Sequence, residues 1–445
     1  MKNKKVEKFS KMGKVEKIEW IQQGFLSNET NAFTTFSSYW HEDQNQQKLF
    51  DSFSENTISN FLLPYGIAPN FLIDGNIYAV PMVIEESSVV AAASSAAKYW
   101  MDKGGFKTTI LGTTKVGHIH FMWPGSFSQL IDFEHDIKMA LMSGVGSIIE
   151  NMKKRGGGIQ KVEFLDFNFC AKNLFQCRVH FQTCDSMGAN FINTVLEKFA
   201  TNIENYFINN QDLPDEQKDV EIIMSILSNY TPECLVRAEV KTPIQNLGTF
   251  ANGITAQSLA EKFCLAIKIA HADVYRATTH NKGIFNGIDA VVLATGNDFR
   301  AVEAAGHAFA AKDGQYKGLS YCDLTDDMFH FYIDIPLAVG TIGGLTNLHP
   351  LAKKSLEILG NPSAETLMRI IASVGLAQNF SAVKSLVTTG IQQGHMKMHL
   401  LNILVSLDAN EEAIHAAMVH FESHQISYSS VREFLHELKT SIKSQ

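Results

Sequence analysis

Six cysteines in 445 residues form no CxxC pair, so zinc and dithiol chemistry lack their usual spacing. At positions 170, 177, 184, 234, 264 and 322, they are expected to be reduced and mostly buried thiols rather than zinc ligands or disulfides. Basic charge is in short supply too, with 38 Lys and Arg against 46 Asp and Glu and a net charge of -8. No basic face advertises nucleic-acid binding, and an anionic ligand must meet a local site. No window approaches 18 consecutive apolar residues, since the best candidate, 88–97, is short and interrupted by serines; no membrane anchor is expected. The basic N-terminus lacks the apolar stretch of a secretory signal, so a cytoplasmic protein is expected. GxxxxGK[ST] is absent, and Gly144-Val145-Gly146 lacks the third glycine of the dinucleotide fingerprint, which disfavours an ordinary Rossmann fold.

What is present fits a folded, enzyme-sized chain of two or three domains, with 45% hydrophobic and 19% charged residues. Helical spacing marks 14–23 and 46–62, alternation around Asp74-Gly75-Asn76 marks a hairpin over 70–81, and an alanine-rich helix covers 88–100. That helix suits a packed domain centre or a subunit contact. From about 113 the texture changes to alternating stretches, read as an inserted α+β domain with strands near 117–122, 162–167 and 177–182 and last elements at 222–227 and 235–240. The insertion should end near Tyr230. A long central helix is expected over 256–279, delivering its end to Lys282, then a strand at 332–339, helices at 364–376 and 379–388, and a helical, mobile C-terminal element.

Chemistry concentrates in HNKGIFNGIDAVVLATGNDFR, where Lys282 and Asp298 are separated by glycine-punctuated apolar sequence. Such a pair is either a structural ion pair beside a turn or a site aimed at charge developing in a transition state. Glu85-Glu86 follows an apolar strand, so one glutamate should be solvated and the other buried. Asp185-Ser186-Met187-Gly188-Ala189-Asn190 reads as a glycine loop at a helix start, with Asn193 one turn on; it is either a ligand loop or a plain helix cap. His395 and His399 share a helix face, but Met396 stands where a zinc protease needs glutamate. A histidine there could still donate a proton near neutral pH.

PMVIEESSVVAAAS from Pro81, DSMGAN from Asp185, YRATTHNKGIFNGIDAVVLATGNDFRAVEA from Tyr275 and GIQQGHMKMH from Gly390 together resemble 3-hydroxy-3-methylglutaryl-coenzyme A (HMG-CoA) reductase of the soluble bacterial, class II, kind. The resemblance implies an α+β fold in which a large, mainly helical substrate domain (1–112 and 231–389) with a central long helix is interrupted by a small ferredoxin-like nucleotide-binding domain (113–230). A helical flap (390–445) follows. It implies a two-step, four-electron reduction of the HMG-CoA thioester by NAD(P)H, through mevaldyl-CoA and mevaldehyde, to mevalonate and free coenzyme A in isoprenoid biosynthesis. Lys282 is then the oxyanion stabiliser, Asp298 its partner, Glu86 the proton-transfer group and His395 the acid that protonates the coenzyme A thiolate.

Arg276, Ser88 and Asn286 would contact the hydroxymethylglutaryl group and Glu55 the coenzyme. Asp185, Met187, Gly188, Asn190 and Asn193 would form the nucleotide loop, with Asn229 beside it. No metal is implied. A homodimer with its site at the interface is expected. The segment 139–150 has no aspartate to repel a 2'-phosphate, while Lys153, Lys154 and Arg155 could attract one, so the reading leans to NADPH over NADH. Leu401 stands where membrane-bound relatives carry a phosphorylatable serine. Two other readings are a noncatalytic coenzyme A-binding relative, disfavoured by the intact reacting groups, and an acyl-CoA reductase of another substrate, disfavoured by Arg276.

Overall fold

A computed structural model describes residues 5–26, 31–250, 253–388, 400–421, 424 and 426–443. It divides into two compact units, 1–64 and 65–445. The first holds helices Lys14–Phe25, Ala32–Ser37 and Gln44–Asp51, and Lys14 Nζ donates to Asp51 Oδ1 at 2.6 Å. The helix expected over 46–62 stops at Asp51. Beyond it Ser and Asn side chains bond to nearby backbone instead, as with Ser52 Oγ on the Leu49 carbonyl, which is how such residues end helices.

The second unit opens with the expected hairpin, β1 (Tyr65–Ile73) against β2 (Asn76–Val83). Asp74 and Gly75 both take positive φ, 49° and 90°, the conformation a tight two-residue hairpin turn demands. Helix Ser87–Met101 follows, with Ala93, Ala96 and Ala97 fully buried. That face serves packing within the chain, while Ala91 and Ser95 remain exposed.

The strands β3 (Lys107–Ile110), β8 (Leu235–Pro243), β9 (Ser320–Thr325) and β10 (Met328–Pro336) form an antiparallel sheet in the order β3-β8-β10-β9. Thus 235–240, expected in the insertion, belongs to the larger core: Val236, Ala238 and Val240 alternate inward there. A second sheet holds β4 (Lys115–Met122), β5 (Gly158–Asp166), β6 (Leu174–Gln182) and β7 (Glu221–Ser228), in the order β5-β6-β4-β7, all neighbours antiparallel. With helices before β5 and before β7 this is a split β-α-β-β-α-β arrangement, and it has a separate hydrophobic core of its own.

The expected long helix is broken. Helix Ala256–Ala272 ends, and Asp273, extended at φ -115° and ψ 118°, caps the central helix Val274–Ala294 by accepting from Tyr275 N; aspartate is a favoured N-cap. Lys282 therefore sits in the middle of a helix, with Gly283 and Gly287 inside it rather than in a turn. The two helices expected at 364–376 and 379–388 are one, Ala364–Val387, since nothing between them breaks helical geometry. By length and composition this helix could cross a membrane, but 72% of its apolar window is buried inside the protein, where it packs on the central helix. Helices at the C-terminal end, including Glu411–His420 and Tyr428–Lys443, pack around Leu404, Ala417 and Val431 as a third cluster.

One cysteine expectation fails. Cys264 and Cys322 are joined in a disulfide, with Cα atoms 5.2 Å apart. The bond ties helix Ala256–Ala272 to β9, and a separation of 58 residues hid that proximity from the sequence.

Candidate active site

The side of the central helix facing helix Ser87–Met101 carries the candidate chemistry. Lys282 and Asn286, four residues apart, share a helix face, and both reach Glu86, whose Oε2 receives Lys282 Nζ at 3.0 Å and Asn286 Nδ2 at 3.3 Å. Ser88 Oγ donates to Glu86 Oε1 at 3.2 Å. Glu86 is the N-cap of helix Ser87–Met101 and half-buried, while Glu85 is exposed; both lie past the end of β2, so the split is set by the turn into the helix and not by strand alternation. Lys282, however, has a 63% exposed side chain and Glu86 a 37% exposed one. In the single chain the pair stands at a surface, not in the dry interior the apolar sequence implied.

The lysine's carboxylate is Glu86, not Asp298. Asp298 caps helix Phe299–Ala310, accepting from Arg300 N at 3.0 Å and Ala301 N at 3.3 Å, and pairs with Arg300 Nη2 at 2.9 Å. The reason is distance: a helix rises 1.5 Å per residue, so Lys282 lies roughly 18 Å along the axis from the helix end near Asp298. Arg276 is half-buried on the central helix, with burial lowering its pKa. His395, like His399, lies outside the described residues, and Glu55 lies in the first unit.

A network that sequence reading missed anchors the helix behind Lys282. His280 Nε2 meets Ser320 Oγ at 2.7 Å, Ser320 Oγ donates to Asn379 Oδ1 at 2.8 Å, and Asn281 bonds to the Lys317 carbonyl and the Leu319 amide. Burial, helped by Arg276 nearby, pushes His280 down to about 3, so its imidazole is neutral and acts as a hydrogen-bonding strut. Only the apolar burial of a histidine and an asparagine beside Lys282 could have signalled this.

The glycine loop turns where expected. Gly188, at φ 90°, caps helix Ala189–Asn209, and a Cβ there would lie 2.4 Å from Thr183 Cγ2; glycine suits both the angle and the approach. Two expected ligand groups are engaged within the protein: Asp185 Oδ1 accepts from Ala364 N at 2.7 Å, capping a different helix, and Asn193 Oδ1 accepts from Leu227 N at 2.9 Å. Asn190 is exposed. Met187, Ala189 and Asn229 line one small cavity together, with buried Lys115 among them. Lys115 was not found from the sequence, where it is a single charge at the start of an alternating strand.

A lysine, glutamate, asparagine and serine held on packed helices, beside a subdomain whose loop opens a long helix, define an α+β enzyme suited to stabilising charge on a polar substrate. The family model described as hydroxymethylglutaryl-coenzyme A reductase matches residues 15–400. The chain is 38% identical over 373 residues to the 3-hydroxy-3-methylglutaryl-coenzyme A reductase of Archaeoglobus fulgidus, covering 82% of this chain and 79% of that one. It is 32% identical over 371 residues to a probable reductase of Borreliella burgdorferi, covering 83% and 81%. A class II reductase structure from Streptococcus pneumoniae, bound to NADPH in open conformations, superposes with a TM-score of 0.70 at 37% identity, covering 85% of this chain and 99% of that one. Another from the same organism gives 0.71 at 36% identity over 97% and 99%. The chain belongs to the HMG-CoA reductase family; it is an oxidoreductase with that activity, and its fold matches the class II structures.

Proposed function

We propose that the Glu86–Lys282 pair is the reacting centre of a two-step, NADPH-dependent reduction of HMG-CoA to mevalonate and free coenzyme A. The observation that carries this is the 3.0 Å contact between Lys282 Nζ and Glu86 Oε2, with Asn286 and Ser88 fixing the same carboxylate. When bound, NADPH supplies hydride. Lys282 then donates a hydrogen bond to the substrate oxygen on which negative charge grows, an interaction stronger in the transition state than in the ground state. Glu86, already in contact with that ammonium, holds or returns a proton for the aldehyde-level step. Arg276 clamps the distal carboxylate with a planar fork.

His395 enters by the family resemblance, as the acid that protonates the coenzyme A thiolate. The subdomain bounded by 113–230, ferredoxin-like in its strand order, holds the dinucleotide. Gly188 and the amides opening helix Ala189–Asn209 suit a phosphate. Residues 1–112 and 231–389 make the substrate domain, with Glu55 on the coenzyme, and 390–445 a closing flap. The reading places the enzyme in the cytoplasm as a homodimer of mevalonate synthesis.

Following NADPH absorbance with HMG-CoA tests this. Lys282→Met should fold and lose roughly 10²- to 10³-fold in kcat, the usual cost of an oxyanion donor, and near-full turnover would remove Lys282 from the centre. His395→Gln should slow chiefly the steps that involve the coenzyme A thiol.

A further inference from the structure

Lys115, the first residue of β4, is 4% exposed. Burying an ammonium is costly unless something compensates its charge, yet among the described residues no carboxylate stands within ion-pair distance of it. Burial lowers its pKa, and Cys234, Cys184 and Asp185 offset that only in part. Its hydrogen bonds go to one place, the turn that precedes the glycine loop. Nζ donates to Thr183 Oγ1 at 2.7 Å and to the Ser186 carbonyl at 3.4 Å, and Thr183 Oγ1 donates to the same carbonyl at 2.7 Å. Thr183 is also the side chain against which Gly188 packs.

The same ammonium lies between two cavities. One, about 210 Å³, is lined by Gln182, Cys184, Asp185 and Glu365; the other is bordered by Met187, Ala189 and Asn229. The loop itself has a charge problem. Asp185 to Asn190 contains one carboxylate and no cation, while a dinucleotide brings several negative charges, and a helix N-terminus supplies only about half a positive charge. A nearby cation in a low-dielectric setting would act on those phosphates with little screening.

We propose that Lys115 is the buried cation of the dinucleotide site, a positioning residue that braces the Thr183–Ser186 turn and sets the positive potential holding the cofactor's phosphates at the loop. This rests on the assignment of that loop to the dinucleotide. Neutralising the residue should weaken NADPH binding while leaving chemistry at Lys282 alone.

The test measures the NADPH dissociation constant from protein fluorescence across a salt series, with KM and kcat, for the full-length enzyme and three variants. Lys115→Gln keeps a hydrogen-bond donor without charge, Lys115→Met removes both, and Asn190→Ala alters the loop. Both Lys115 variants should bind NADPH about tenfold more weakly, the scale of one charged hydrogen bond. Their salt dependence should be shallower, and kcat and the KM for HMG-CoA should stay within about twofold. A Lys115→Gln enzyme with wild-type affinity and salt slope overturns the proposal, as does a loss of thermal stability with unchanged NADPH affinity. If Asn190→Ala alone weakens binding, the loop assignment stands and Lys115 is excluded; if none of the three does, the loop assignment itself fails.

Discussion

At the scale of single residues, the active-site face and the core behind it use carboxylates differently. Glu86 accepts hydrogen bonds from three side-chain donors, whereas Asp289, one turn beyond Asn286 on the central helix, is held well above the ordinary carboxyl range by burial and then by the charge and hydrogen bond of Glu303. Its Oδ1 is buried without a partner. A carboxyl whose folded pKa is raised keeps a proton that the unfolded chain has already released, so its cost to stability is absent at low pH and grows as pH climbs above the unfolded value. Asp289→Asn should therefore gain stability over the parent progressively from pH 5 to pH 8, by at least on the order of 1 kcal/mol across that range. Thermal unfolding of both proteins across that range reads the difference, and a gap that does not change with pH would show that Asp289 is ionised in the fold.

At the scale of elements, the contact between the central helix and helix Ala364–Val387 depends on missing side chains. A Cβ at Gly287 would lie 2.9 Å from the Val374 carbonyl and from Gln378 Cβ, and one at Gly375 would lie 2.7 Å from Ile288 Cγ1, whereas Gly283 has open space. Gly287→Ala should cost about 1–3 kcal/mol through overpacking. Gly283→Ala, on the same helix, should gain roughly 0.5–1 kcal/mol from lost chain entropy. Equal melting temperatures for the two variants would refute this account of the packing. The same elements show what was legible in the sequence. Hairpin, alanine helix and the alternating strands of the subdomain could be read because period and turn residues are local signals. The break at Asp273, the continuity through 376–379 and the placement of β8 could not, because each is decided by what the segment packs against. In the site, Glu86, Lys282, Asn286 and Ser88, all singled out by their motifs, lie in hydrogen-bonding contact. Lys115, the His280–Ser320–Asn379 network and the Cys264–Cys322 bond join residues far apart in the chain and leave no spacing to find.

For the whole molecule, the surface of the N-terminal unit bears on assembly. Phe61 is 91% exposed, Leu62 68% and Leu63 38%, three consecutive apolar side chains in a segment with no helix or strand. Scattered exposed hydrophobics are ordinary, but a contiguous run marks a surface that is covered in the working state. The alanine-rich helix was the other candidate contact; one face of it is buried in the chain, while Ala91 and Ser95 stay exposed, so the longer side chains of the apolar run are the first place to probe the proposed homodimer. Phe61→Ser, together with Leu62→Ser, removes two large side chains without touching a core. Sedimentation should find the parent at twice the 49.4 kDa chain mass and the double variant shifted toward monomer at micromolar concentration. Because the site is proposed to lie at the interface, specific activity of the variant should fall on dilution and recover on concentration. A variant that stays dimeric, or a monomer that keeps full activity at every dilution, would separate the apolar run from assembly and assembly from catalysis.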